Sequence, residues 1–394
     1  MKKTYMALSF GAILSIIGMG AWMIQVNNGL AVTNLNNLFS WGLYMSSFEF
    51  FIGLSSGGML VYAIHHIWKI DALHSFAQIG PIASLISAIA AGIAILTDLG
   101  RPFSVLQMLL TPNLLSPLFW DMVVLGVYAI LCVLALYFQI LADKTNNQNE
   151  KQHKVISVIT LPYIAVLNGV TTLLFAMQHT KLWWHSALLP VDSIVIAIAL
   201  GCSFVMLLGL LFFEKTSLKK GSSLLAFIAS VAIMIHFVFT VFELATIAWS
   251  STAESKELMH LLFDTFGIWY GMEQLLFIIA LCGYLFGLRK HPVWMVLSSF
   301  AVLTVVFLHR MMLTLPAFNM VPLTVPVGTP DGALWTYPIA SGIYQAGGDI
   351  FITEWMYMPT LVEWGVAILP VGVIVLCLSA IKIFFSEKWI TQQR

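Results

Sequence analysis

Apolar residues come in long blocks along this chain, and the polar segments between them are short. Ten blocks reach the roughly 20 residues a helix needs to cross a hydrocarbon core of about 30 Å. They cover about 5–26, 41–68, 74–97, 118–142, 155–178, 187–213, 222–249, 259–287, 292–310 and 357–385. None shows the alternation over ~10 residues that marks a strand of a membrane barrel. The pattern predicts an all-α integral membrane protein of about ten transmembrane helices. The first block follows Lys2 and Lys3 and lacks a clear small-x-small cleavage site, so it reads as a retained span.

The polar segments separate by charge when taken alternately. The N-terminus, 69–73, 143–154, 214–221, 288–291 and the C-terminus with Lys382 hold fourteen of the 18 Lys and Arg; the opposite set holds Arg101, Lys181, Lys256 and Arg310. The positive-inside rule puts the first set, and both termini, in the cytoplasm, as an even number of spans requires. The outer segments 98–117 and 311–356 are the long ones, the second rich in Pro, Gly, Trp and Tyr. Its aromatic content points to a docking surface or to a cap packed on the helix ends.

Composition narrows the class further. Charged residues make up 9% of the chain, against about 25% in soluble domains. Zero formal net charge gives no electrostatic footprint for nucleic acid. The four cysteines are scattered with no C-x-x-C. No iron–sulfur cluster, structural zinc or other metal site is expected in this chain.

A charge inside the bilayer costs at least ~2.5–3.5 kcal/mol on insertion scales, so its placement carries information. From a rise of ~1.5 Å per residue, Glu49 lies roughly 12 Å below the outer end of the second span. Asp121 and Asp192 fall within about two turns of the outer ends of the fourth and sixth spans. Glu243 and Glu363 lie roughly 6–9 Å below the outer ends of the seventh and tenth, and His236 and Glu273 near mid-membrane. The inner half is nearly empty of ionisable groups away from helix ends, where His65 and His66 sit. The bias predicts a shared polar cavity opening outward. His179, His185, His309 and Arg310 also fall on the outer side. His236 has no histidine mate at its depth, which argues against a di-haem arrangement.

A quinone fits such a layout. Its redox cycle moves two electrons and two protons, so its site needs apolar access, a hydrogen-bond partner for each ring oxygen and a titratable path to water. Glu49 suits a proton station beside the ring. Electrons must then come from or go to a separate subunit on the outer face. A second class, a transporter or proton-translocating subunit with an outward-facing cavity, needs polar groups reaching both sides, and no residues complete such a path inward.

The runs "WGLYMSSFEFFIGLSSGG" (Trp41 to Gly58), "DLGRPFSVLQMLLTPNLLSPLFWD" (Asp98 to Asp121) and "WHSALLP" (Trp184 to Pro190) resemble the NrfD/polysulfide-reductase family of membrane subunits. Ten spans and the C-terminal "GGDIFITEWMYMPTLVEWG" resemble its longer branch, found in membrane-bound hydrogenase and alternative complex III assemblies. The resemblance implies two four-helix bundles, spans two to five (41–178) and six to nine (179–310). It adds an extra helix at each end (1–40 and 357–394) and the outer loop 311–356. It implies a bound menaquinone or ubiquinone with no haem or cluster in this chain. The implied partners are a four-cluster ferredoxin-type iron–sulfur subunit on the extracytoplasmic side and often a molybdopterin catalytic subunit. The implied location is the prokaryotic cytoplasmic (inner) membrane.

Carried onto this sequence, the resemblance puts the quinone near the starts of the second and sixth spans, where Glu49 and Asp192 lie, and beside Trp184, with His179 and His185 standing in for the family's own head-group contacts. A tyrosine common in eight-span members near the end of the fifth span is not evident; Asn168 and Thr171 occupy that neighbourhood. Proton transfer is expected at Glu49, Asp121, His236, Glu243, Glu273 and Glu363. Asp98 and Arg101 read as an outer ion pair or helix cap. Arg310 reads as a partner for Glu363 or for the docked subunit. An offset of four spans pairs Glu49 with Asp192, Asp98 with Glu243 and His179 with His309, a faint trace of duplication.

Overall fold

The computed structural model describes residues 2–35, 39–145, 149–179, 181–212, 219–250, 252–289, 292–319 and 357–384. Among them are twelve α-helices and no strand. In chain order these are α1 Lys2–Asn28, α2 Leu43–Trp68, α3 His74–Asp98, α4 Val105–Leu110, α5 Pro117–Thr145, α6 Glu150–Ala176, α7 Leu189–Phe212, α8 Lys219–Ser250, α9 Ala253–His260, α10 Gly267–Arg289, α11 Pro292–Asn319 and α12 Leu361–Phe384. All but the short α4 and α9 are long and apolar enough to span a membrane, ten spans in all. Pro81, Pro162, Pro316 and Pro370 lie inside helices. Neighbouring helices and side chains in a membrane bundle can satisfy the carbonyls that such prolines free.

Helices α2, α3, α5 and α6 pack as one closed ring, and α7, α8, α10 and α11 as a second. The rings meet where α2 lies against α7 and α11. Twenty of the 26 residues of α2 are buried. Glycine makes this possible. A Cβ on Gly57 would run into the backbone of Gly201 on α7, and the reverse holds; Gly58 and Gly80 of α3 meet in the same way. Small residues let membrane helices approach until dispersion contacts dominate. The two outlying helices, expected one at each end of the chain, pair with each other, and α12 also touches α3.

Two boundaries differ from the sequence pattern. The ninth span does not stop at Arg310: α11 runs on to Asn319, because Met311, Met312, Leu313 and Leu315 are strong helix formers. The block at 259–287 is two pieces. Here α9 is capped by Thr252, whose side chain accepts from the Ser255 N–H. A π-type turn over Leu261–Thr265 then leads to α10 at Gly267. Of the expected loop 311–356, the first nine residues are helix, and 320–356 lie outside the described residues.

Candidate functional site

The carboxylate of Glu49 sits at the seam between the two bundles. Its Oε2 lies 3.6 Å from Arg310 Nη1, and both side chains are 2% exposed. Arg310 Nη2 donates to Ser193 Oγ on α7 (2.8 Å). The Ser46 hydroxyl donates to the Arg310 carbonyl (3.1 Å) and lies 3.1 Å from Thr314 Oγ1. Neither Glu49 oxygen has a hydrogen-bond partner, and neither has Arg310 Nε. Asp121 of α5, close enough to act on Glu49 electrostatically, accepts from Thr171 Oγ1 (2.5 Å). One turn along α6, Asn168 Nδ2 donates to Ser56 Oγ on α2 (2.8 Å). On the sequence alone, Arg310 pairs with Glu363 or with the docked subunit. The extra turns of α11 bury it instead, and its partner is Glu49.

An aromatic roof covers this end of the bundles. Rings of Trp41, Phe175, Trp184 and Phe318 stand 5.0–5.6 Å apart in neighbouring pairs. The α6–α7 connection is pinned to α11 by two indoles. Trp183 Nε1 donates to the Met312 carbonyl (3.1 Å), and Trp184 Nε1 to the Leu313 carbonyl (2.6 Å). Pro316 has no N–H to give to Met312 four residues earlier, so Trp183 supplies the missing donor. Lys181 Nζ lies 5.2 Å over the Phe318 ring, and burial holds this ammonium below its ordinary pKa.

The second bundle holds its own polar cluster. His236 Nδ1 lies 2.9 and 3.0 Å from the two Asp192 oxygens. His309 Nδ1 lies 2.9 Å from Glu273 Oε1, and the two imidazole rings are 5.2 Å apart. His236 Nε2 and Glu273 Oε2 have no hydrogen-bond partner. His236 therefore has a mate at its depth, contrary to the sequence pattern. The same extension of α11 carries His309 inward, which also undoes its match with the exposed His179. Asp192, expected beside a quinone with Glu49, is engaged by His236.

The remaining expected residues lie apart. Glu363 forms a capping box with Thr360: the Thr360 N–H donates to Oε2 (2.8 Å) and the Glu363 N–H to Thr360 Oγ1 (3.2 Å). The Asn34 N–H reaches Oε2 (3.1 Å), and the Tyr357 hydroxyl donates to Oε1. With both oxygens engaged, Glu363 ties the α1–α2 linker to α12. Asp98 and Arg101 do not pair: Arg101 is exposed, and Asp98 Oδ1 is buried without a hydrogen-bond partner. Glu243 is half-buried, with the Ser186 side chain near it. His179 and His185 stand exposed, their rings 4.4 Å apart, whereas Trp184 between them in sequence is buried.

At the opposite end of the first bundle lies a group that the spacing along the chain did not assemble. His66 stacks on His153 at 4.7 Å, the Tyr62 hydroxyl is 2.6 Å from His153 Nδ1, and His74 is 3.3 Å from His65. Buried Ser157 and Thr160 lie on the same helix as His153, their hydroxyls without hydrogen-bond partners. Ionisable groups are sparse in this half, but it is not uniformly apolar.

The profile of the family described as "Polysulphide reductase, NrfD" matches residues 31–322. A Halobacterium salinarum protein named as a dimethyl sulfoxide reductase membrane subunit is 31% identical over 51% of this chain and 50% of its own length. A selenate reductase subunit from Mesobacillus selenatarsenatis is 22% identical, spanning 100% of this chain and 97% of that protein. The menaquinone reductase integral membrane subunit of Nitratidesulfovibrio vulgaris is 23% identical over 96% of this chain and 90% of its own. The chain thus spans half the length of the first relative and most of the length of the other two.

Proposed function

The chain belongs to the NrfD polysulphide reductase family, and from that premise we propose that it is the quinone-reactive membrane subunit of a respiratory oxidoreductase. One observation carries the reading. Glu49 and Arg310 are buried together, and both Glu49 oxygens and Arg310 Nε lack hydrogen-bond partners. Buried polar atoms are rarely left unmatched, so such a pair is built to meet a further polar group. A quinone ring supplies it: one carbonyl oxygen accepts from the Arg310 guanidinium, and the ring exchanges a proton with Glu49. Asp121, held by Thr171, is the next station. The roof of Trp41, Phe175, Trp184 and Phe318 suits a flat ring and its apolar tail. Menaquinone acts in the relative named for it, and that carrier class suits this site.

Of the six groups expected to move protons, Glu49 and Asp121 keep the assignment in this reading. The charge asymmetry of the segments favours the Trp184 end as extracytoplasmic and both termini as cytoplasmic. The exposed surface around His179 and His185 would then receive an iron–sulfur partner that exchanges electrons with the quinone. Binding of a menaquinone analogue to the purified protein tests the site. Glu49→Gln and Arg310→Met should each weaken it at least tenfold, while His185→Ala changes it less than twofold. Undiminished binding in both the Glu49 and Arg310 variants would overturn the assignment.

A further inference from the structure

The quinone reading leaves the cluster of the second bundle unused: His236 of α8, Glu273 of α10 and His309 of α11, with Asp192 of α7 behind them. We propose that these three residues form a site for a divalent transition-metal ion, zinc by ligand type, inside the second bundle. One ligand atom from each lies within 4.8 Å of the others. Two imidazoles and a carboxylate are the donor set of tetrahedral zinc sites that keep a fourth position for water.

The arrangement behind the ligands supports the site independently. Metal-bound histidines present one ring nitrogen to the ion and give the other N–H to a carboxylate, which fixes the tautomer. His236 is held in this way: Nδ1 lies on the Asp192 carboxylate, and Nε2, without a hydrogen-bond partner, is the nitrogen left for an ion. Glu273 offers a second unmatched atom, Oε2, with its other oxygen held by His309 and by Gln274 Nε2 (3.2 Å). His236 is 2% exposed and Glu273 1%. A buried carboxyl oxygen and a buried imidazole nitrogen without partners are costly, and a bound cation would satisfy both.

Charge balance points the same way. Two carboxyl groups, Asp192 and Glu273, face two imidazoles, and Arg310, the neighbour of His309, is directed to Glu49 and Ser193. One divalent ion balances the two carboxylates with both imidazoles neutral, the form that ligates. Ligands at 2.0–2.1 Å in a tetrahedron stand about 3.3 Å apart, so the side chains close by about 1.5 Å, with His309 exchanging its Glu273 contact for the ion.

The test uses the full chain, purified in detergent without a metal-affinity step and stripped with a chelator. Titration with Co²⁺, a spectroscopic stand-in for Zn²⁺, is expected to give one equivalent with tetrahedral visible bands, lost on adding equimolar Zn²⁺. X-ray absorption of the zinc form should show imidazole scattering. Glu273→Gln and His236→Gln should each weaken binding at least tenfold. His309→Asn, at the most exposed of the three, serves if either of these fails to fold. Absence of the bands, or binding in the folded variants equal to wild type, overturns the proposal. The readout involves no quinone, so its failure leaves the Glu49 assignment standing, and the reverse.

Discussion

Replacing Arg310 with Met keeps the length of the side chain and removes its charge. The guanidinium is 2% exposed, 3.6 Å from Glu49 and bonded to Ser193. Removing one member of a buried pair strands the other as an uncompensated charge and costs about 3–5 kcal/mol. Glu49→Gln strands Arg310 and should cost a similar amount. The double variant removes both charges. It loses chiefly the Arg310–Ser193 hydrogen bond, worth about 1.5–3 kcal/mol for a charged donor. The two single losses therefore sum to about 6–10 kcal/mol, while the double should fall only about 1.5–3 kcal/mol below wild type. Unfolding in mixed micelles titrated with a denaturing detergent, followed by tryptophan fluorescence, measures all four proteins. A double variant as unstable as the sum of the singles would refute the pairing. So would an Arg310→Met protein as stable as wild type.

Other outcomes follow from the same contacts. Gly57→Ala and Gly201→Ala each drive a methyl into backbone and should cost at least the ~1–3 kcal/mol of core overpacking; Gly20→Ala, whose Cβ would meet nothing within 4 Å, should be neutral or stabilising in the same assay. Trp184→Phe keeps the ring cluster but deletes the 2.6 Å bond to Leu313, for a loss of about 0.5–1.5 kcal/mol and faster amide exchange in the α6–α7 connection. Tyr357, with its hydroxyl buried against Glu363, has its phenol pKa raised above the ordinary value by burial first and by Glu363 second. Its stabilising contribution is complete below the unfolded value of about 10 and falls as pH rises beyond it. Tyr357→Phe should therefore flatten the alkaline decline by about 1.4 kcal/mol per pH unit, read from melts between pH 9 and 12.

The spans were legible because length and hydropathy alone decide what a bilayer accepts. The site was legible only in part, and α11 shows why. A charged His309–Arg310 pair looks like the end of a membrane segment, but the next residues are apolar helix formers and both side chains have partners inside. Glu49 and Asp121 could be named as buried acids from depth along their own helices. Their partners could not, because Arg310 and Thr171 come from helices whose rotation depends on packing. Glu363 was readable in another sense: Thr360 three residues before it is the sequence mark of a capping box, a signal the depth argument passed over. The cluster of His236, Glu273 and His309 spans three helices, and no spacing along the chain announces it.

The central position of α2 decides how a lipid-dissolved reactant can travel. In this helix 89% of the most apolar window is buried, against 11% in α1 and 33% in α10. A carbene-generating tail probe should brand the peripheral helices and leave the Glu49 segment almost unmarked. If Glu49 serves a quinone as proposed, traffic to that carboxylate would slip between neighbouring helices, so residues lining the gap, rather than those at the destination, would set how fast carriers exchange with the bilayer.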